Sequence, residues 1–143
     1  MRLTVLTDYS LRMLMHLAVK PGGWATIAEV STAYGISEAH LMKVAHLLGQ
    51  SGHVNTLRGR GGGLALGRPA AEITVGEVVR QMEPDMAVVP CLAGGSCAIL
   101  AACRLKRTMH EARAAFLAVL DQTTIADLAQ PEGQLQRLLG IAA

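Results

Sequence analysis

Residues 26–66 constrain the fold most tightly. Thr26-Ile27-Ala28-Glu29 has the form of a capping box, in which the Thr hydroxyl and the Glu carboxylate each satisfy a free backbone N–H at a helix start. That helix should run to Tyr34 and break at Gly35. Ser37 can cap the next helix, whose Leu41, Val44, Ala45 and Leu48 lie on one face and which should end near Gly52. Two short helices joined by Gly35-Ile36 make a helix-turn-helix. The strand-like runs Val54-Asn55-Thr56-Leu57 and Leu64-Ala65-Leu66 then flank Arg58-Gly59-Arg60-Gly61-Gly62-Gly63. Glycines that tolerate positive φ turn this pair into a β-hairpin, so the segment reads as a winged helix-turn-helix.

The flanking sequence is helical too. Thr7-Asp8 can start a helix whose apolar positions Leu11, Leu14, Met15 and Ala18 have helical spacing and which should stop at Pro21-Gly22-Gly23. A second capping box, Thr74-Val75-Gly76-Glu77, opens a helix to about Met82. Residues 84–102 read as a Gly-containing loop, and from Arg104 to about Asp121 the residues Leu105, Met109, Ala112, Phe116 and Val119 step by four, three, four and three. That stepping is the seam of a helix that packs lengthwise on another, a natural dimerisation element. One more short helix is expected near Thr123 to Ala129, followed by a tail. With only four aromatic residues (Tyr9, Trp24, Tyr34 and Phe116), the core must be built from aliphatic residues, alanine and methionine. The expected class is mainly α with a small β-hairpin: 1–83 a winged helix-turn-helix, 84–103 a metal-binding loop, 104–130 a dimerisation helix with a short C-terminal helix, and 131–143 a tail.

Charge placement points to nucleic acid more than the net charge of +2 does: residues 1–80 hold eight Lys/Arg against five Asp/Glu, residues 81–143 five against six. At the N-terminal end of the second helix of the motif, Ser37, Glu38, His40 and Lys43 are the candidates for base-edge contacts in double-stranded operator DNA. Arg58 and Arg60 sit on a narrow hairpin whose shape suits the minor groove. A nucleotide-binding loop is a poor reading of residues 58–63, which lack the spaced glycines and terminal Lys-Ser/Thr. The chain is not expected to be an enzyme. Residues 11–19, the longest apolar stretch near the start, are interrupted by Arg12 and His16 and suit neither a leader nor a membrane span, so a cytoplasmic protein is expected.

In such a compartment Cys91, Cys97 and Cys103 are better read as metal ligands than as a disulfide framework, and their odd number leaves one unpaired in any case. Five residues separate each cysteine from the next, with Gly94, Gly95 and Ser96 making the chain pliable enough for the thiols to converge. Zinc sites usually show tighter Cys-x2-Cys pairs, whereas longer equal spacing suits thiolates binding different irons of one cluster. Three thiolates leave one iron of a 4Fe-4S centre to another ligand, and that iron is where nitric oxide can attack. A 2Fe-2S form is also compatible with the spacing. A zinc-stabilised interaction module and a small electron-transfer protein are rival readings; the second needs no recognition helix.

Four segments carry a family resemblance: Leu3-Thr4-Val5-Leu6-Thr7-Asp8-Tyr9, the Arg58–Gly63 tip, Val78-Val79-Arg80-Gln81-Met82-Glu83-Pro84, and Ala102-Cys103-Arg104-Leu105-Lys106. On these the chain resembles, over almost its whole length, the winged-helix iron-sulfur regulators that include the nitrite-sensitive repressors and the biogenesis regulator IscR. The resemblance implies a homodimer with one cluster per protomer, three Cys ligands from its own chain and, in some members, a carboxylate near the partner's N-terminus. Asp8 occupies that position, with Arg12 one turn later able to hold it; its other reading is a helix-start residue stabilised by the dipole. IscR-like members have a His three residues after the last cysteine. This chain has Lys106 there, which favours the nitrite-sensitive branch; His110 reads as a solvated residue of the long helix. The function implied is a repressor released from its operator when nitric oxide reaches the cluster. The alternative is a regulator of the same build that reports iron or cluster supply.

Overall fold

The structure, a computed structural model, describes residues 2–142. Its elements are α1 (Val5–Val19), α2 (Ile27–Tyr34), α3 (Glu38–Gln50), β1 (Val54–Leu57), β2 (Gly63–Leu66), α4 (Val75–Met82), α5 (Arg104–Asp121), α6 (Ile125–Leu128) and α7 (Glu132–Leu138). The expected fold class holds: mostly helix with one two-stranded antiparallel hairpin.

The capping box at Thr26 forms on both sides. Thr26 Oγ1 accepts the N–H of Glu29 at 3.2 Å, and Glu29 Oε2 accepts that of Thr26 at 2.6 Å. The other carboxylate oxygen of Glu29 takes the Lys20 ammonium at 2.6 Å, tying the end of α1 to the start of α2. The Lys20 contact, reinforced by the Thr26 N–H, pulls the Glu29 carboxyl down to about 2. Gly35 closes α2 in the left-handed region at φ 65°, a conformation open to glycine, and so sets the turn into α3.

Helix α1 differs from expectation at both its start and its face. It begins at Val5 rather than Thr7, because Thr4 Oγ1 accepts the Thr7 N–H at 3.3 Å and caps it one turn earlier. Its fully buried residues are Thr7, Ser10, Met13, Leu14, His16, Leu17 and Val19, whereas Leu11, Met15 and Ala18 are half-buried. The reason is that α1 meets α3, α4, α6 and α7 from several sides, so no single stripe describes its burial. At Thr74 only half of the second box forms: Thr74 Oγ1 accepts the Glu77 N–H at 3.2 Å, but the Glu77 carboxylate turns away to His53 Nε2 at 2.8 Å and to Arg68. Tertiary partners outcompete the local cap and fasten the root of the hairpin to α4.

The core is a single aliphatic cluster that includes Met13, Leu14, Leu17, Val30, Leu41, Val44, Leu48, Val54, Leu64, Ile73, Val78 and Ile125. Each fully buried side chain of this size contributes about 1.5–3 kcal/mol of transfer free energy. The hairpin joins it through Leu64, whose N–H and C=O pair with Ala25 at 2.7 and 3.0 Å, adding a third extended segment beside β2. Residues after α5 rejoin the same core, since Ile125 is fully buried and its N–H bonds the carbonyl of Ile73 at 2.8 Å. The tail is not featureless: it contains α7, and Gln136 Nε2 donates to the free carbonyl of Val19 at 2.7 Å, capping the end of α1. No helix among the described residues is long and apolar enough to cross a membrane.

His16 is a polar group within this core. It is 1% exposed, neither ring nitrogen has a hydrogen-bond partner among the described residues, and its ring lies beside that of Tyr34, with centroids 6.0 Å apart. Burial, assisted by the Lys20 charge, lowers its pKa. A base whose folded-state pKa is lowered binds protons more readily when unfolded, so its contribution is complete above about 6.5 and is lost as pH falls below that value. Urea denaturation from pH 7.5 to 5 should therefore show falling stability in the wild type and a flatter profile in His16→Phe; parallel profiles would show that His16 is not responsible.

Candidate nucleic-acid interface and cysteine loop

Helix α3 buries Leu41, Val44, Ala45 and Leu48 and turns its other side to solvent. Of the candidate readers, Ser37, Glu38, His40 and Lys43 are all exposed, yet two are engaged locally. Ser37 Oγ meets His40 Nδ1 at 2.8 Å and accepts the His40 N–H at 3.4 Å as the N-cap. The His40 ring also leans on Tyr9 of α1, with centroids 6.1 Å apart. Glu38 and Lys43 make no side-chain hydrogen bond among the described residues, and a row at helical spacing adds Met42, 57% exposed, and His46. The sequence reading missed that pair because it sought short polar residues near the helix start; the i, i+4 spacing of 38, 42 and 46 was the available signal.

The hairpin pairs Val54 with Leu66 and Leu57 with Gly63. Arg58 and Arg60 are exposed at its tip, on either side of Gly59 at φ 94°, with Gly61 at φ 74°. Those backbone values keep the tip narrow. The geometry thus presents a helix face and a basic tip from one rigid body, the arrangement of a winged helix-turn-helix.

The cysteines lie on the excursion between α4 and α5. Cys91 falls in the short 3-10 turn Pro90–Ala93, closed by Gly94 at φ 90°. A Cβ at Gly95 would come within 2.8 Å of the Pro90 carbonyl, which accepts the Gly95 N–H at 3.0 Å. Cys97 is exposed, and a second such turn at Leu100–Ala102 leads to Cys103, the N-cap of α5, whose Sγ accepts the Lys106 N–H at 3.4 Å. Residues 84–102 thus form a loop that carries two short 3-10 turns, Pro90–Ala93 and Leu100–Ala102. All three thiols are free of disulfides, but among the described residues no three His, Cys, Asp or Glu side chains are gathered closely enough to hold a metal ion. The expected convergence is thus not found in the single chain. Residues 91–103 contribute no fully buried side chain to the core, although Cys91, Leu92 and Cys103 are partly buried and the Pro90–Ala93 turn lies against α5.

Asp8 is half-buried in the first turn of α1, and its Oδ2 takes the Arg12 guanidinium at 2.9 Å. Arg12 also lies over the ring of Tyr34, 5.8 Å from its centroid, at the end of α2. These groups border a cleft of about 620 Å³ between α1 and the turn into α3. His110 is exposed on α5, as expected.

A family model described as "Rrf2: Iron-dependent Transcriptional regulator" matches residues 3–131. The chain belongs to the Rrf2 family. This Rrf2 chain is 46% identical over 142 residues to the HTH-type transcriptional regulator NsrR of Bacillus subtilis (strain 168), covering 97% of each. It is 42% identical to that of Geobacillus kaustophilus, again with 97% of each covered. Among solved structures it resembles CymR (YrzC), the global cysteine regulator of B. subtilis, with a TM-score of 0.75, 27% identity and coverage of 90% and 96%. T. potens IscR, with a TM-score of 0.71, 21% identity and coverage of 95% and 91%, shares the fold. The resemblance to the nitrite-sensitive repressors is therefore borne out, and the protein is a transcription regulator rather than an enzyme.

Each phosphate contact contributes about 0.9 to the slope of log K against log salt. Arg58→Gln with Arg60→Gln should reduce that slope by up to about two, measured by fluorescence anisotropy on an operator duplex; an unchanged slope would remove the wing from the interface.

Proposed function

We propose that this chain is a homodimeric DNA-binding repressor that senses nitric oxide through an iron-sulfur cluster, 4Fe-4S in its fullest form, held by Cys91, Cys97, Cys103 and the Asp8 carboxylate of the partner protomer. The observation that carries the reading is the donor set: three disulfide-free thiols on one stretch outside the core, in a chain whose α1 offers a carboxylate held by Arg12. Soft thiolates suit iron-sulfur centres, and the three lie on a segment that adds no fully buried side chain to the core. When bound, such a cluster would supply a nitric-oxide-reactive iron at the position held by the Asp8 carboxylate rather than by a thiolate.

The chain's own residues do the rest. Cys103 caps α5, so its sulfur is fixed relative to that helix and faces the positive end of the helix dipole. Arg12 orients the Asp8 carboxylate and, by lying over Tyr34, also touches the end of α2 next to the turn into α3. A displacement of Asp8 therefore reaches the DNA-reading helix through one side chain. Glu38, Met42, Lys43 and His46 then face the bases, with Ser37 and His40 shaping the start of α3, and Arg58 and Arg60 holding the backbone or minor groove.

The dimer follows from α5, which buries no residue in the single chain and leaves Leu105 57% and Val119 66% exposed on its apolar seam. In this reading residues 1–83 read DNA, 84–103 hold the cluster and 104–130 form the dimer and return to the core. Two heads spaced by α5 read a palindrome only at the right separation, so a small rotation abolishes tight binding. The family description names iron, which favours a second reading in which the same dimer reports iron or cluster supply.

Protein prepared without oxygen should be brown, shift an operator duplex in a gel, and lose that shift after stoichiometric nitric oxide. Equal binding before and after would reject nitric oxide sensing, and release by an iron chelator alone would favour the supply reading. Leu105→Glu with Val119→Glu, both outside the core, should convert the dimer to monomer in sedimentation velocity; an unchanged sedimentation coefficient would place the dimer contact elsewhere.

A further inference from the structure

Two of the segments on which the family resemblance rests, 3–9 and 78–84, meet in space. The meeting point is one carboxylate oxygen. Glu83 Oε1 accepts the backbone N–H of Thr4 at 2.8 Å, the Thr4 hydroxyl at 3.0 Å and the Thr7 hydroxyl. The partners lie 76 to 79 residues away along the chain. Thr7 is fully buried, and Thr4 and Glu83 are half-buried. Burial works against the charged form, yet the hydrogen bonds from Thr7 and Thr4 hold the Glu83 carboxyl below its ordinary range.

The location gives the contact its meaning. Thr4 is the N-cap of α1, and its carbonyl accepts the N–H of Asp8 at 3.2 Å in the first turn. Glu83 is the C-cap of α4 and is followed by Pro84, where the chain leaves for the cysteines. A negative group at the start of a 15-residue helix is favourable to that helix. A surface Glu or a local capping residue would serve that purpose equally well. What Glu83 adds is a non-local tie between the turn that carries Asp8 and the root of the cysteine excursion.

We propose that Glu83 is a positioning residue: through Thr4 and Thr7 it fixes the first turn of α1, and with it the Asp8 carboxylate, relative to the cysteine loop of the same protomer. The inference rests on the reading of Asp8 as a ligand across the dimer. In that arrangement one protomer's Asp8 and its own cysteines serve different clusters, so the Glu83 tie sets the separation of the two attachment points that each protomer offers.

The test is a double-mutant cycle on cluster release, followed as absorbance bleaching by an iron chelator without oxygen, in the wild type, Glu83→Gln, Asp8→Ala and the double variant. Thr7→Val, which removes a single donor while keeping side-chain shape, runs in parallel and carries the test should Glu83→Gln fail to fold. Melting of the cluster-free proteins is the second readout. Release should accelerate about tenfold in Glu83→Gln and in Thr7→Val, the equivalent of losing one charge-assisted hydrogen bond. The same changes should accelerate it less than about twofold once Asp8 is alanine, while the melting shifts of the cluster-free proteins are equal in both backgrounds. Equal acceleration with and without Asp8, or no acceleration in protein that keeps Asp8, would overturn the positioning role alone. Wild-type release from Asp8→Ala would instead show that Asp8 is not a ligand, which overturns that reading and the inference with it.

Discussion

Helix α1 passes through the middle of the protein, with Met13, Leu14 and Leu17 almost wholly withdrawn from water and contacts to α3, α4, α6, α7 and β2. The DNA-reading helix, the root of the hairpin and the return of the chain after α5 are all referenced to this one rod. Its two ends are held from outside the helix: by Glu83 at the start, and at the finish by Gln136 on the Val19 carbonyl and by the nearby Glu29 on Lys20. A shift of α1 is consequently not a local event. Close-packed interiors transmit such displacements because they deform poorly.

The cysteine segment has the opposite character. It leaves the body after Glu83, turns twice over glycine and short 3-10 elements, and returns as α5 without burying a side chain in the core. Arg80 and Asp121 join α4 to the end of α5 by a bidentate contact at 2.5 and 2.7 Å, which crosses Gly76 so closely that a Cβ there would strike the Asp121 carboxylate. That ion pair is about half exposed and counts for little energetically. The packed winged-helix body and the cysteine segment outside its core are thus distinct, with Glu83 at the root of that segment.

Much of this was legible in residue order. The capping box at Thr26, the break at Gly35, the cap at Ser37 and the apolar face of α3 are local patterns, and local hydrogen bonds realise them as written. The long helix from Arg104 to Asp121 also appears where its four-three stepping put it. Local reasoning failed wherever a distant partner won. Glu77 leaves its cap for His53 and Arg68, α1 fully buries Thr7, Ser10 and His16 while Leu11, Met15 and Ala18 are only half-buried, and Gln136 of α7 caps the Val19 carbonyl.

The candidate site divides along the same line. Three cysteines at equal spacing, a carboxylate near the start and an arginine one turn on are facts of sequence, since ligand chemistry depends on residue type and order. Which side chains stay free to act is a tertiary matter. Ser37 and His40 bind each other at the start of α3, Met42 and His46 emerge beside Lys43, and Arg12 bridges Asp8 to Tyr34. Residue order determined the winged-helix class and the donor set, because caps, periodicity and thiols are encoded within a few positions. Only the folded chain decided that one oxygen of Glu83 joins Thr4 and Thr7, because hydrogen bonds over 76 to 79 residues exist only once α1 and α4 are packed together.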